Sequence, residues 1–342
     1  MWGSHKRPRQ TLCDNPGQGP VGAVKIEGVL AIVAPGQGAQ TPGFLTPWLQ
    51  DAHLAARLAA LSDVVGLDLA SYGTEADAET IKDTAVAQPL LVAAGLLAGE
   101  ALTGGVPFPG VDVLAGHSVG EVTAAAAAGV LTGSDAIVFV RERANGMAEA
   151  SALRPTTMAA VVRGEPGEVL AAIEAVGATA ANNNGSGQVV AAGTVEQIQA
   201  LKENPPAGAR VIGLSVAGAF HTEHMEPGRV RVAAAASGMT AHDPGATLLS
   251  NRDGRAVTGG AEYLERLVAQ VTAPVRWDLC MQTMAGLGVT GLLELPPAGT
   301  LTGIAKRNMP GVELFNLNTP DQLDEARAFC ARHAGTRPTE EN

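Results

Sequence analysis

The segment Gly116-His117-Ser118-Val119-Gly120 has the G-x-S-x-G spacing of a nucleophile elbow. Glycines on both sides of a serine allow a tight turn from a strand into a helix, which exposes the hydroxyl. Backbone N–H groups at a helix N-terminus favour negative charge on a reacting oxygen, so Ser118 is a candidate nucleophile for acyl chemistry. The alternative is a structural turn with an incidental serine, because this chain contains 42 glycines.

A second glycine-rich loop, Pro35-Gly36-Gln37-Gly38, follows the first apolar run of the chain. Glycines beside Gln37 leave its backbone N–H free to point into a cavity, where it and the N–H of Val119 would form an oxyanion hole. A phosphate-binding loop is excluded by spacing, since neither G-x-x-x-x-G-K-[ST] nor G-x-G-x-x-G is present. An ordinary turn remains the alternative.

A serine nucleophile needs a base, and the chain offers seven histidines. Residue types alone make His221 a candidate in competition with His117 and His224. His117 adjoins the serine but is expected to point elsewhere, supporting the elbow or lining the pocket entrance. His224 is compatible with a polar surface residue, and no aspartate stands in an obvious place to complete a triad.

Arg143 lies on a predicted helical stripe with Ala136, Val140 and Met147, which are all apolar. An arginine on an inward helix face is costly unless an anion satisfies it. That anion is either a ligand or a local carboxylate. Snorkelling of the side chain to solvent is a further alternative.

The elements that must position these residues follow an α/β pattern. A continuous apolar run at 29–34 predicts a buried parallel strand, and two further largely apolar runs, 111–115 and 291–295, predict strands of the same sheet. Helices are predicted from the elbow to about Gly129, over 134–150 with Ser134 as N-cap, and over 261–271. Short alternating runs at 158–162, 189–192 and 211–214, separated by helical pieces, predict a small α+β insert. Residues 1–27 carry no periodic pattern and are expected to be a disordered leader.

Composition excludes several classes of function. The net charge of −11 opposes binding to nucleic acid or anionic lipid. Three dispersed cysteines give neither a disulfide framework nor a metal-ligand spacing, which favours the cytoplasm and predicts no metal. No secretory signal is recognisable, and no uninterrupted apolar stretch of about 20 residues is found, so we expect no membrane span.

Several separated motifs carry a family resemblance over residues 29–320. They are Gly36-Gln37-Gly38-Ala39-Gln40, Gln88-Pro89, Gly116-His117-Ser118-Val119-Gly120-Glu121, Arg143, Asn182-Asn183-Asn184, Ala219-Phe220-His221 and Leu301-Thr302-Gly303. With these residues in this order, the chain resembles malonyl-CoA:acyl-carrier-protein transacylases and the acyltransferase domains of polyketide synthases.

The resemblance implies an α/β-hydrolase-like large domain, over 28–152 and 218–335, with a ferredoxin-like small domain inserted at 153–217. It implies that Ser118 becomes acylated and that His221 acts as general base and then as acid. The backbone carbonyl of Gln270 would orient His221, and Arg143 would bind the free malonyl carboxylate.

Other positions are assigned by the same resemblance. Phe220 would crowd the extra methyl of a methylmalonyl group, giving a modest malonyl preference. Glu121 is expected only to complement a helix N-terminus. The side chains expected to line or shape the substrate site are Gln88, His117, Met147, Asn182, Asn184, Phe220 and Asn251.

The expected substrates are malonyl-CoA and a holo acyl carrier protein, with no cofactor and with one chain as the working unit. Acyl carrier proteins are acidic, and Lys306 and Arg307 are the candidate docking residues for one. The alternative for this pair is a solvated helix end. The carrier of fatty-acid synthesis and that of polyketide synthesis are both compatible with the sequence, and a serine esterase or thioesterase is the rival class because it needs no carboxylate clamp.

Overall fold

The computed structural model describes Met1 and residues 28–334. The predicted leader, 1–27, therefore lies almost wholly outside the described residues. Eleven strands are described: β1 Leu30–Ala34, β2 Val113–Gly116, β3 Thr156–Arg163, β4 Thr179–Asn183, β5 Gln188–Thr194, β6 Ala209–Gly213, β7 Thr247–Leu249, β8 Ala256–Val257, β9 Val275–Arg276, β10 Gly291–Glu294 and β11 Glu313–Asn316.

Twelve α-helices are described in the same part of the chain. They are α1 Ala52–Val65, α2 Leu69–Thr74, α3 Thr84–Thr103, α4 Gly120–Ala127, α5 Gly133–Ala152, α6 Pro166–Ala175, α7 Val195–Glu203, α8 Glu226–Ala236, α9 Gly260–Gln270, α10 Trp277–Gly286, α11 Thr300–Asn308 and α12 Leu323–His333.

The larger sheet has six strands in the order β11-β10-β1-β2-β7-β8. All neighbours in it are parallel except β7 and β8. Side chains of the central strand β1 alternate between its two faces: Leu30 and Ile32 pack into one apolar cluster, whereas Ala31 and Val33 pack into another. Both faces of β1 are buried, which explains its continuous apolar sequence and agrees with the predicted buried parallel strand.

The smaller sheet has five strands in the order β6-β3-β5-β4-β9 and is antiparallel except for the β4–β9 pair. Strands β3 to β6 all lie within the predicted insert at 153–217. The fifth strand, β9, comes from the part of the chain assigned to the large domain, and Asn182 pairs with Val275 there. The two sheets are therefore joined through β9.

One expectation about an element was wrong. The N-cap of α5 is Thr132 and not Ser134, because the Thr132 side chain accepts the N–H of Asp135. Helix α3 is long and apolar enough by length and composition to span a membrane, but 83% of its apolar window is buried inside the protein, as in a core helix.

Candidate active site

The nucleophile elbow joins β2 to α4. Ser118 has φ of 55°, a left-handed backbone that L-residues rarely adopt. A Cβ on Gly116 would lie 1.9 Å from the backbone carbon of Gly120, and a Cβ on Gly120 would lie 2.2 Å from the carbonyl oxygen of Ala34. Glycine is thus required at both positions, because the turn brings backbone against backbone.

His221 is the histidine that the structure brings to Ser118. Its Nε2 lies 2.7 Å from Ser118 Oγ, and its Nδ1 lies 2.8 Å from the backbone oxygen of Gln270. A carbonyl can only accept, so Nδ1 carries the proton and Nε2 is free to accept the serine proton. Burial, and then the charge of Arg143, lowers the pKa of His221 to about 3, so the ring is neutral near pH 7.

The other two candidate histidines, His117 and His224, do not hydrogen-bond to the Ser118 hydroxyl. His117 Nε2 contacts Asn184 Oδ1 at 3.0 Å, its ring packs edge-on against Trp277, and the residue lines the cavity beside Ser118. His224 lies 3.5 Å from Arg154 and does not line the cavity beside Ser118.

Arg143 on α5 is 1% exposed and lies directly behind the nucleophile. One guanidinium nitrogen donates to Gln88 Oε1 at 2.6 Å; the other donates to Gln270 Oε1 at 2.8 Å and to Ser118 Oγ at 3.3 Å. Burial lowers the pKa of Arg143 to about 10, and the charge of Glu121 opposes that change. The guanidinium therefore stays cationic near neutral pH, beside the nucleophile.

The expectation for Glu121 was wrong. Its carboxylate does not merely complement a helix N-terminus, because it is 1% exposed and points into the interior. It accepts the backbone N–H of Asn251 at 2.6 Å, a side-chain N–H of Gln270 and the hydroxyl of Tyr263 at 3.4 Å. Burial raises the pKa of Glu121 to about 8, while these donors and Arg143 lower it.

A cavity of about 240 Å³ opens onto Ser118 and His221. Most of the predicted substrate residues line it: Gln88, His117, Met147, Asn182, Asn184 and Phe220. Asn251 was expected to line or shape the substrate site; it does not line the cavity but lies beneath the elbow, where its Oδ1 accepts the N–H of Ser118 at 2.8 Å. Its side-chain N–H donates to the carbonyl of Gly116 at 2.8 Å, so Asn251 holds the turn itself.

The predicted oxyanion hole falls on the rim of this cavity, which Gln37 and Val119 both line. Val119 is the N-cap of α4, and the N–H groups of a first helical turn have no intrahelical partner. The Gln37 side chain points away, donating to the carbonyl of Lys82 at 3.2 Å. The backbone of the glycine-flanked loop is therefore the part of Gln37 available to a reacting oxygen.

Two buried oxygens near the cavity have no hydrogen-bond partner among the described residues. They are Oε1 of Gln37, whose side chain points away from the cavity, and Oδ1 of Asn182. A buried carbonyl oxygen without a donor costs free energy, about 1–3 kcal/mol.

Lys306 and Arg307 lie on the exposed last turn of α11, whose first residues, Thr300 and Leu301, line the cavity. Arg307 donates to the side chain of Gln188 at 3.2 Å, and Gln188 is a cavity residue. The two cations are thus close to the cavity but outside it.

The family follows from a domain model described as "Acyl transferase domain", which matches residues 32–310. This chain belongs to that family. The match covers the smaller sheet, the larger sheet apart from β11 and the start of β1, and all the site residues above. The α/β fold and the acyltransferase class expected from the sequence are confirmed.

Relatives of this acyl transferase agree with that assignment. The malonyl CoA-acyl carrier protein transacylase of Mycobacterium tuberculosis is 51% identical over 298 residues, which is 87% of this chain and 99% of the relative. The crystal structure of MCAT from Mycobacterium tuberculosis superposes with a TM-score of 0.85 at 50% identity, covering 87% of this chain and 99% of that one. A type II PKS acyl-carrier protein in complex with its malonyl-transacylase is matched on the enzyme chain with a TM-score of 0.83 at 28% identity, covering 88% and 99%.

The sequence did not predict the interior roles of three groups: the Glu121 carboxylate, the Tyr263 hydroxyl and the side-chain amide of Gln270. A signal for the first was available, because Glu121 is followed by the apolar residues of a buried helix and has no nearby cation in sequence. Its partners come from residues more than 100 positions away, so no local spacing connects them.

Proposed function

We propose that this acyl transferase moves a malonyl group from coenzyme A to the phosphopantetheine thiol of an acyl carrier protein through a malonyl ester on Ser118. The observation that carries the proposal is the guanidinium of Arg143, which lies 3.3 Å from the nucleophilic oxygen. In a malonyl group a single methylene separates the reacting carbonyl from the free carboxylate. A cation that binds this carboxylate must therefore lie next to the nucleophile.

The acylation step uses the hydrogen bond between Ser118 and His221. His221 Nε2 takes the proton as Ser118 Oγ attacks the thioester carbonyl, and the backbone N–H groups of Gln37 and Val119 receive the negative charge that forms on the carbonyl oxygen. The C–S bond then breaks, and His221 returns the proton to the departing CoA thiolate. The carbonyl of Gln270 keeps the ring oriented in both steps.

The second half reverses the roles. The carrier thiol gives its proton to His221 and attacks the ester, and Ser118 leaves with that proton, so no net proton is consumed. The expected kinetics are ping-pong.

The esterase alternative is less well supported, because a hydrolase has no use for a buried cation beside its nucleophile. Charged hydrogen bonds contribute about 1.5–3 kcal/mol each, which corresponds to roughly 10- to 100-fold in rate for a malonyl over an acetyl group. Phe220 lines the same cavity and would crowd a methylmalonyl group, a modest additional selection.

We further propose that the large sheet and its helices form an α/β-hydrolase-like domain, and that the sheet built on residues 153–217 is ferredoxin-like. The enzyme is proposed to act as a monomer, since Ser118, His221 and Arg143 all come from one chain. A cytoplasmic location is supported by Cys280 and Cys330, which are unpaired thiols. No cofactor enters the proposed chemistry.

Intact-mass spectrometry after mixing with malonyl-CoA or acetyl-CoA tests the proposal. We expect a malonyl adduct on the wild type, none on Ser118→Ala, and a weaker acetyl adduct. Arg143→Ala should slow malonyl acylation roughly 10- to 100-fold while changing acetyl acylation little. If no adduct forms and the thioester is hydrolysed quickly whether or not Arg143 is present, the transferase proposal is wrong and the protein is a hydrolase.

A further inference from the structure

We infer that Glu121 is a positioning residue for malonyl selection: it fixes the orientation of the Gln270 side-chain amide, and this amide in turn holds Arg143 in place beside Ser118. The inference rests on the proposed role of Arg143 as the malonyl clamp. Glu121 itself touches no reacting atom. Its effect is expected on the choice between acyl groups, and much less on acyl transfer in general.

The Gln270 amide lies between two charged groups of opposite sign. Its Oε1 accepts from Arg143 at 2.8 Å, whereas its Nε2 donates to the carboxylate of Glu121 and to the carbonyl of Ser118 at 3.0 Å. A guanidinium can only donate, so it requires the amide oxygen on its side. The carboxylate and the carbonyl accept, so they require the amide nitrogen on theirs. Only one of the two amide orientations satisfies all three neighbours.

The carboxylate of Glu121 is itself fixed by a rigid donor. Its Oε1 accepts the backbone N–H of Asn251 at 2.6 Å, and that N–H cannot rotate away. The other oxygen, Oε2, faces Gln270. Glu121 and Gln270 are 1% and 4% exposed, so water cannot readily replace either contact.

The charge of Glu121 also matters to Arg143. The two groups attract each other in the interior, where a lone buried guanidinium would be costly. A network that is satisfied at every member keeps its side chains in one arrangement. Arg143 is therefore held with its second nitrogen directed at Ser118, and a malonyl carboxylate meets a cation that is already in place.

Replacing Glu121 by glutamine tests whether the carboxylate fixes the orientation of the Gln270 amide, because glutamate and glutamine side chains have almost the same shape. The new side chain must still present its oxygen to the fixed N–H of Asn251, so its NH₂ group faces Gln270. Two NH₂ groups cannot face each other, and the Gln270 amide turns over to accept. Its own NH₂ then confronts the guanidinium of Arg143, which loses an acceptor and moves.

The experiment measures single-turnover acylation by malonyl-CoA and by acetyl-CoA at pH 8.5, where the Glu121 carboxyl is largely ionised. We expect Glu121→Gln to lower the malonyl-to-acetyl ratio of kcat/KM about 10-fold or more, mostly through the malonyl reaction. Tyr263→Phe is the matched control, because Tyr263 donates to the same carboxylate but makes no hydrogen bond to Gln270. We expect it to leave the ratio within about twofold, since its contact is long at 3.4 Å and the backbone N–H of Asn251 still holds the same carboxylate oxygen.

The outcomes separate this inference from the proposed function. If Arg143→Ala abolishes the malonyl preference but Glu121→Gln keeps it, the inference is wrong while the clamp stands. An equal fall with both substrates in Glu121→Gln would make the residue merely structural and also overturn the inference. If the wild type shows no malonyl preference, or Arg143→Ala retains it, the proposed function fails first. Gln270→Met, which keeps the backbone carbonyl but removes the amide, should lower the ratio similarly and serves if Glu121→Gln does not fold, as judged by thermal unfolding.

Discussion

At the scale of single residues, the site depends on two residues with a left-handed backbone conformation that L-residues rarely adopt. Ser118 and His221 have φ of 55° and 62°, and each such conformation costs roughly 1–2 kcal/mol. The surrounding contacts hold both residues: Asn251 accepts the N–H of Ser118, and the carbonyl of Gln270 fixes the His221 ring. Strain of this kind is typical of sites where a side chain must point in one direction.

The depressed pKa of His221 leads to a prediction about acylation at acid pH. The neutral ring is the base, and a folded-state pKa of about 3 keeps it neutral well below its usual titration range. The rate of Ser118 acylation by acetyl-CoA, which does not depend on the malonyl clamp, should therefore change less than about twofold between pH 7 and pH 5. A histidine titrating at its ordinary value near 6.5 would instead slow the rate roughly 25-fold over the same range. Quenched-flow sampling with intact-mass detection measures this rate, and such a loss would contradict the prediction.

At the scale of elements, the strand-to-helix junction between β2 and α4 places the nucleophile. The start of α4 packs against the end of β1, and this contact leaves no room for a side chain on Gly120. Asn251, which follows β7, holds the turn from below through Ser118 and Gly116. Three neighbouring strands of the large sheet therefore meet at the elbow through their carboxyl ends.

A glycine comparison tests how closely these elements are packed. Gly120→Ala would place a Cβ 2.2 Å from the Ala34 oxygen, so β1 and α4 must separate. We expect a loss of about 1–3 kcal/mol in the free energy of unfolding, together with loss of acylation. Gly303→Ala in α11 is the control, because a Cβ there meets nothing within 4 Å. It should be neutral or stabilising by up to about 1 kcal/mol. Urea unfolding measures both, and an equally stable Gly120→Ala would be inconsistent with this packing.

At the scale of the whole molecule, the cavity lies where the two sheets meet. The smaller sheet supplies Asn182 and Met158, the large-domain elements supply Ser118 and Met147, and α11 closes one side with Leu301. The same helix carries Lys306 and Arg307 on its exposed end. A carrier docked on this end would be close to the cavity that its pantetheine arm must enter.

Charge reversal tests the proposed docking residues. Because acyl carrier proteins are acidic, Lys306→Glu and Arg307→Glu should each lower kcat/KM for the carrier roughly 10-fold at low salt. Self-acylation by malonyl-CoA should be unaffected, since the chemistry is unchanged. Arg229→Glu on the exposed face of α8 makes the same charge change away from the cavity and should leave carrier transfer within about twofold. Equal effects of all three reversals would show that only net charge matters.

The sequence by itself determined the α/β class, the elbow with Ser118, and the family. The local signals are a continuous apolar run for a strand covered on both faces and glycines at the fixed spacing of a tight turn. The physical reason is that backbone geometry and burial constrain residues that are close in sequence, so a short segment is enough to predict each of these features. His221 and the malonyl role of Arg143 came from the family resemblance, because residue types and spacing alone left alternatives open for both.

Only the tertiary structure decided how the interior of the site is connected. Glu121, Gln270 and Asn251 meet over separations of 19 to 149 residues, and nothing in their local spacing predicts that one amide lies between a carboxylate and a guanidinium. Likewise, the asparagines of β4 lie in a strand because β5 and β9 pair with it, overriding their preference for turns. Hydrogen bonds between distant segments depend on how the elements pack, and packing is a property of the whole chain.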